Sequence, residues 1–165
     1  MIIAIFSDSH DDWQNLKQLL DYCCQQKINT ILFCGDLASK ETLEYLTANF
    51  SGQIFMVGGN ADFFDGRDIK KYQNFTYEEK ILRCEIDQQK IIAVHQPTEL
   101  MAVLSTSEEQ FDFAFCGHTH RPDLKKKRQT IIANPGTLYG PISQASFAVL
   151  DTKTKKLELK ILALI

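Results

Sequence analysis

Aspartate, asparagine and histidine stand at the ends of five short apolar runs. Ile2-Ile3-Ala4-Ile5-Phe6 leads into Ser7-Asp8-Ser9-His10, and Ile31-Leu32-Phe33-Cys34 into Gly35-Asp36. Ile54-Phe55-Met56-Val57 leads into Gly58-Gly59-Asn60-Ala61-Asp62, Ile91-Ile92-Ala93-Val94 into His95, and the run 111–116 into Gly117-His118-Thr119-His120. Carboxylate, imidazole and amide oxygen are ligands of intermediate hardness that suit Mn, Fe, Zn or Co better than Ca or Cu(I). Asp8, His10, Asp36, Asn60, His95, His118 and His120 form a set of seven, more than one metal needs and enough for two. A lone Asp-x-His or Gly-Asp is commonplace, and a lone histidine after a strand is more often a satisfied core residue. The joint placement is what singles out a site, because all four histidines of the chain lie in these clusters.

Such ligands need elements that bring them together. A short apolar run reads as a buried strand, and in open α/β sheets sites form just beyond the carboxyl ends of strands. Five such strands side by side would converge their clusters on one rim. Residues 12–26 read as a helix with Leu16, Leu19, Leu20 and Cys23 on one face, capped by Asp11 or Asp12. Residues 39–48 read as a second helix, with Leu43 and Leu46 inward and Ser39 as N-cap. Strand–helix alternation implies a parallel sheet with right-handed crossovers. Residues 58–68 read as a loop. Beyond them the rhythm changes to a hairpin (80–86 and 90–94), a short helix (99–104) and a strand pair (124–127 and 130–133). An Asn134-Pro135-Gly136-Thr137 turn and a closing antiparallel hairpin (147–150 and 157–161) complete the chain. The sheet content is therefore mixed, and 1–165 is expected to form one domain.

Asp8 and His10 are two residues apart and would point to opposite faces of a continuing strand. Both can reach one metal only if the chain turns there, and the same holds for His118 and His120. Gly35, Gly58-Gly59 and Gly117, each just before a ligand, permit the close backbone approach that convergence demands. Two metals about 3.5–4 Å apart can clamp an in-line phosphoryl displacement, with a carboxylate and a hydroxide of lowered pKa bridging them.

The bulk properties narrow the partners. With 44% hydrophobic and 24% charged residues the chain has the balance of a globular protein. A net charge of −3 argues against a long nucleic acid, which needs a basic face. No apolar stretch reaches the roughly 20 residues of a membrane span, and the start lacks a basic signal-peptide region, so a cytoplasmic location is expected. The five cysteines are odd in number and contain no Cys-x-x-Cys, which indicates neither a disulfide framework nor a zinc knuckle. Lys125-Lys126-Lys127-Arg128 reads as a solvated loop or edge. The expected partner is a small phosphoester. Neither membrane nor long nucleic acid is expected, and homo-oligomerisation is compatible with the sequence.

Taken in order, Asp8-x-His10, Gly35-Asp36, Gly59-Asn60-x-Asp62, His95 and Gly117-His118-x-His120 resemble the calcineurin-like metallophosphoesterase superfamily. The short length and the Gly-His-Thr-His-Arg-Pro and Asn-Pro-Gly-Thr segments are similar to its small bacterial and archaeal phosphodiesterase branch. The resemblance implies an α/β fold, a four-layer α-β-β-α sandwich of two mixed sheets, and a metal-dependent phosphodiesterase. It places Asp8, His10 and His120 on one divalent metal, Asn60, His95 and His118 on the other, and Asp36 between them. It makes Asp36, Asn60 and Asp62 the catalytic residues, with Asn60 and Arg121 contacting substrate. The usual family metal is Mn2+, with Ni2+, Fe2+ or Zn2+ as substitutes. The chain departs from the pattern at three places. Ala61 stands where the family often has a histidine that protonates the leaving group, Gln96 follows His95 in place of glycine, and Ile142 follows Pro141 where an arginine is usual. Arg67 and Arg121 are the remaining candidates for a phosphate clamp. The alternative is a weakly active or inactive protein-binding scaffold on the same fold, similar to a retromer subunit that lacks the first-block histidine.

Overall fold

The computed structural model describes residues 1–141 and 143–165; Ile142, and with it the question of what replaces the usual arginine, lies outside them. The chain runs β1 (Ile2–Phe6), α1 (Trp13–Gln25), β2 (Thr30–Phe33), α2 (Lys40–Asn49), β3 (Gln53–Val57), α3 (Gly66–Ile69) and β4 (Phe75–Glu78). It continues through β5 (Leu82–Ile86), β6 (Gln89–Ala93), α4 (Pro97–Thr106), β7 (Phe113–Phe115), β8 (Asp123–Lys127), β9 (Thr130–Asn134), β10 (Ser146–Asp151) and β11 (Lys156–Ile161), and ends in a 3-10 turn, Leu162–Leu164. One sheet has the order β11-β10-β1-β2-β3-β4 and the other β5-β6-β7-β9-β8. Both are mixed: β1 to β4 are parallel with β10 and β11 antiparallel at one side, while β6, β7 and β9 are parallel with β5 and β8 antiparallel at the edges.

Strand alternation sorts the apolar side chains into three cores, and the three cores define four layers. Ala4, Phe6, Ile31, Phe33, Ile54 and Met56 face outward and pack with Leu16, Leu19, Leu43 and Leu46 of α1 and α2. Their neighbours Ile3, Ile5, Leu32, Cys34 and Val57 face the other way. They meet Leu82, Ile91, Ala93, Phe113 and Phe115 between the sheets. Ile92, Val94, Ala114 and Cys116 turn to the far side, where Leu100 of α4 covers them. The four-layer α-β-β-α sandwich is therefore the observed fold. Every one of the ligand-bearing strands buries both faces, which is why each reads as a continuous apolar run rather than an alternating one.

The caps agree with the sequence reading. Asp12 accepts from the Asn15 N–H at 3.0 Å to start α1, and Ser39 accepts from the Thr42 N–H at 3.2 Å to start α2. The expected loop 58–68 needs correction at its end, because α3 begins at Gly66 under a reciprocal cap between Asp65 and Asp68. Strand β4 escaped the sequence reading altogether. Phe75-Thr76-Tyr77-Glu78 lies at the sheet edge with no fully buried residue, so it carries neither a continuous run nor a clean alternation. Lys125 to Lys127 of the basic run lie on β8, an edge strand with all five residues exposed, and Arg128 lies in the turn after it.

Candidate active site

The carboxyl ends of β1, β2, β3, β6 and β7 open onto one rim, and all seven expected ligands are there. The turn that Asp8 and His10 require is made by left-handed backbone. Asp8 (φ 54°), His10 (φ 41°), Asp36 (φ 64°), His118 (φ 68°) and His120 (φ 59°) all have positive φ. This region is disfavoured for residues with a Cβ, and such positions persist only where surrounding bonds over-determine them. Here the loops are laced together. The Asp8 N–H donates to the Gly35 carbonyl (2.9 Å), Ser9 and His10 donate to the Asp36 carbonyl (3.0 and 3.2 Å), and Gly117 donates to the His95 carbonyl (2.9 Å). The Thr137 hydroxyl donates to the Asp8 carbonyl at 2.7 Å, and the Asn134 amide donates to the Gly117 carbonyl at 2.7 Å.

Two glycines make the interlocking possible. A Cβ at Gly117 would collide with the Ser7 hydroxyl and come 2.7 Å from an Asp8 carboxylate oxygen. A Cβ at Gly59 would collide with Asp36. The Gly117–His118 peptide thereby reaches over Asp8, and the His118 N–H donates to both Asp8 oxygens at 3.2 and 3.0 Å.

The side chains form two adjoining groups. In one, His120 Nε2 is 3.1 Å from Asp8 Oδ1, His10 Nε2 is 3.8 Å from the same oxygen, and the two imidazole nitrogens are 3.2 Å apart. In the other, Asn60 Oδ1 is 3.0 Å from His95 Nε2 and 3.0 Å from His118 Nδ1, with the two nitrogens 3.3 Å apart. Asp36 lies between them, its Oδ2 at 3.7 Å from His10 Nε2 and 3.3 Å from His95 Nε2. Asp8 reaches further than the resemblance implies, since its carboxylate also lies within 4.8 Å of the ligand atoms of Asp36 and His95.

This donor set fits divalent metals. His95 Nδ1–H donates to the Cys34 carbonyl at 2.8 Å, so the neutral ring carries its lone pair on Nε2, facing the Asn60 oxygen, and only the protonated ring can donate from Nε2 to Asp36. Two lone-pair atoms face to face repel unless a proton or a cation lies between them, and the His10–His120 nitrogen pair poses the same demand. The charge balance agrees. Burial pushes the Asp8 carboxyl above its ordinary range, against the pull of Ser7, His95 and His120. Burial works in the same direction on Asp36 but is outweighed by hydrogen bonds from His95 and the Ala61 N–H, so that carboxyl titrates below its usual value. Burial also opposes protonation of His95, yet Asp36 and the Cys34 carbonyl raise its pKa overall.

Three residues fall outside the cluster. Asp62 turns away from the ligands. Its Oδ1 accepts from the N–H groups of Leu37 (2.7 Å) and Ala38 (3.2 Å), and its Oδ2 accepts from the Gly59 N–H (2.7 Å). It ties the Asp36 loop to the Asn60 loop and acts by position. Arg121 follows His120 but is exposed, and its guanidinium has no protein partner among the described residues. Arg67 is exposed and paired with Asp65 at 2.7 Å. The supporting roles of Thr137, Asn134 and the Cys34 carbonyl were not assigned from sequence. The first two lie in the Asn-Pro-Gly-Thr segment, read there as a turn, and a backbone carbonyl leaves no mark in a sequence.

Comparison with known proteins places this arrangement. The model of the calcineurin-like phosphoesterase superfamily domain matches residues 1–155, and the chain belongs to that superfamily. It is similar to a phosphodiesterase of Methanocaldococcus jannaschii, with 25% identity over 161 residues, 94% of this chain and 96% of the relative. Among solved structures it is similar to an archaeal phosphodiesterase at a TM-score of 0.87 and 23% identity, covering 98% of this chain and 99% of the other. It is also similar to the zinc complex of Vps29 from Entamoeba histolytica at a TM-score of 0.69 and 19% identity, covering 98% and 99% of the two chains. The protein is thus a phosphoesterase of a family that uses divalent metals.

Proposed function

We propose that the protein is a dinuclear phosphodiesterase acting on small phosphodiesters in the cytoplasm. The observation that carries the reading is the convergence of seven nitrogen and oxygen ligands in two groups that share Asp36. Asp8, His10 and His120 would hold one divalent ion and Asn60, His95 and His118 the other, with Asp36 placed to contribute to both. The mixed nitrogen and oxygen donors suit Mn2+, Ni2+, Fe2+ or Zn2+ better than Ca2+ or Cu(I), and Mn2+ is proposed because it is the usual metal of the family. When bound, the ions lower the pKa of an attacking water and neutralise charge that builds on the phosphoryl oxygens.

The chain's own residues set the conditions for that chemistry. The Cys34 carbonyl holds the His95 ring in register through Nδ1. Ala61 gives its N–H to Asp36 Oδ1 at 2.7 Å, leaving Oδ2 free to face both ligand groups. Because position 61 has no imidazole, the chain brings no proton donor to the leaving group there, which favours esters of acidic alcohols. Arg121, exposed and next to His120 in the chain, is with Asn60 the candidate phosphate contact. The cytoplasmic setting is supported by five free cysteines. No described helix is long and apolar enough to cross a membrane.

The scaffold reading rests on Ala61 and on the likeness to Vps29, and His10 in the first ligand group weighs against it. Elemental analysis after reconstitution with Mn2+ is expected to approach two metals per chain. Hydrolysis of an aryl phosphodiester is expected to exceed that of the monoester, to vanish on chelation and to return with metal. Asp36→Asn is expected to lower both metal content and rate. Metal-loaded protein that leaves every diester intact would transfer the case to the scaffold.

A further inference from the structure

Beside the ligand cluster the rim carries a cleft of about 870 Å³, a volume in the range of small-molecule sites. Asn60 and His95 are part of its lining, whereas Asp8, His10 and His120 do not touch it. One part of its wall is aromatic: Phe64, Phe75 and Tyr77, each only partly covered by the outer core. Another part is the start of α4, with Gln96 and Glu99.

The cleft holds no surplus of cations: Arg67, Lys70 and Lys80 stand against Asp62, Asp65, Glu79 and Glu99. Asp62 spends its oxygens on backbone N–H groups, and Asp65 is paired with Arg67. Lys70 and Lys80 remain against Glu79 and Glu99, all four exposed. One polar group of the lining stays available. The Tyr77 hydroxyl has no protein hydrogen-bond partner among the described residues, and it occupies room that exists because residue 58 has no side chain. A Cβ on Gly58 would come 2.7 Å from the Tyr77 oxygen. Gly58 is two residues before Asn60, so the hydroxyl lies against the loop that carries that candidate ligand.

We propose that this cleft seats one ester arm of the substrate, and that the arm is an uncharged planar ring, aryl or heterocyclic. The inference rests on the phosphodiesterase reading and adds to it the chemistry of the arm. A second anionic group finds no surplus cation in the cleft. A small alkyl arm would leave the aromatic wall wet. A flat ring covers Phe75 and Tyr77 and puts its polar edge within reach of the Tyr77 hydroxyl.

Calorimetric titration of the Mn2+-loaded protein with diphenyl phosphate and with dimethyl phosphate tests it. Both diesters present the same charge to the metals and differ only in their arms. Diphenyl phosphate is expected to bind at least about tenfold more tightly, the effect of burying one ring. Phenyl 4-carboxyphenyl phosphate, able to seat either arm, should keep that preference, whereas bis(4-carboxyphenyl) phosphate should lose it. Phe75→Leu and Tyr77→Leu, each checked for an unchanged melting temperature, should each cut the preference several-fold and leave dimethyl phosphate binding unchanged. Equal binding of the two diesters by the native protein overturns the proposal, as does an unchanged preference in both leucine variants. Hydrolysis of methyl nitrophenyl phosphate, measured in parallel, separates the two readings. Turnover without an aryl preference removes the cleft assignment alone, and an aryl preference without turnover of any diester removes the phosphodiesterase reading.

Discussion

Ala61 and Asp62 show how much a single position decides. A positioned general acid contributes about 10²–10⁴ in rate, most where the leaving group is poor. With alanine at position 61, the rate is expected to depend steeply on leaving-group pKa. Ala61→His should flatten that dependence, helping alkyl esters more than nitrophenyl esters. A leaving-group series run on both proteins checks this, and equal slopes would show that position 61 does not govern protonation. The gain should be smaller than a full acid provides, because Asp62 cannot also hold a new imidazole. Its two oxygens already accept three backbone N–H groups at 2.7–3.2 Å. Those bonds are retained although burial pushes the Asp62 carboxyl upward. Its part in the site is to keep the loops after β2 and β3 in contact.

At the scale of elements, the site depends on loops that fold back over each other at strand ends. Five candidate ligand residues with positive φ form a strained rim, held by bonds from loop to loop. Gly117 is the tightest of these contacts, since its backbone lies against Ser7 and Asp8. Gly117→Ala should cost about 1–3 kcal/mol as an overpacked position. It should also loosen metal binding by displacing the His118 N–H from Asp8. Denaturant unfolding together with metal titration checks both effects. Unchanged metal affinity would mean that the loop can give way without moving His118. The same logic explains β4, which serves the molecule as an edge strand beneath the cleft rather than as a carrier of ligands.

For the whole molecule, stability and metal binding draw on different charges. Asp112, far from the ligands, accepts from the Lys90 N–H at 3.0 Å and pairs with Lys155 Nζ at 2.9 Å, linking the second sheet to the β10–β11 turn. Burial acts to raise its pKa, but Lys155 and Lys90 prevail and hold it below the ordinary carboxylate range. A carboxyl whose folded pKa is depressed contributes stability that is complete above its unfolded pKa and is lost as pH falls through the folded pKa. Asp112→Asn should therefore cost about 1 kcal/mol or less at neutral pH, given its partial exposure. The difference from the native protein should shrink on acidification below the ordinary carboxylate range. Melting curves of metal-free protein at a series of pH values measure it, and a difference that grows on acidification would contradict the assignment.

Much of this molecule is legible along the chain. The ligand-bearing strands read as apolar runs because each buries both faces, and their local order places the ligands at carboxyl ends without any knowledge of neighbours. Asp12 and Ser39 cap their helices through contacts three residues away, which a sequence also displays. The composition of the seven candidate ligands points to the class of chemistry. Other features depend on contacts between residues distant in the sequence. Strand β4 is set by pairing with β3 rather than by its own pattern. Asp62 reads as a member of a catalytic motif, and only the folded loops turn its carboxylate to the N–H groups of Leu37, Ala38 and Gly59. Which tautomer His95 adopts rests on the Cys34 carbonyl, 61 residues away in the chain. The cleft beside Asn60 exists only once α3, β4 and α4 are packed. Sequence spacing decides what a segment does with its own backbone, and the free energy of long-range contacts decides which way its polar side chains turn.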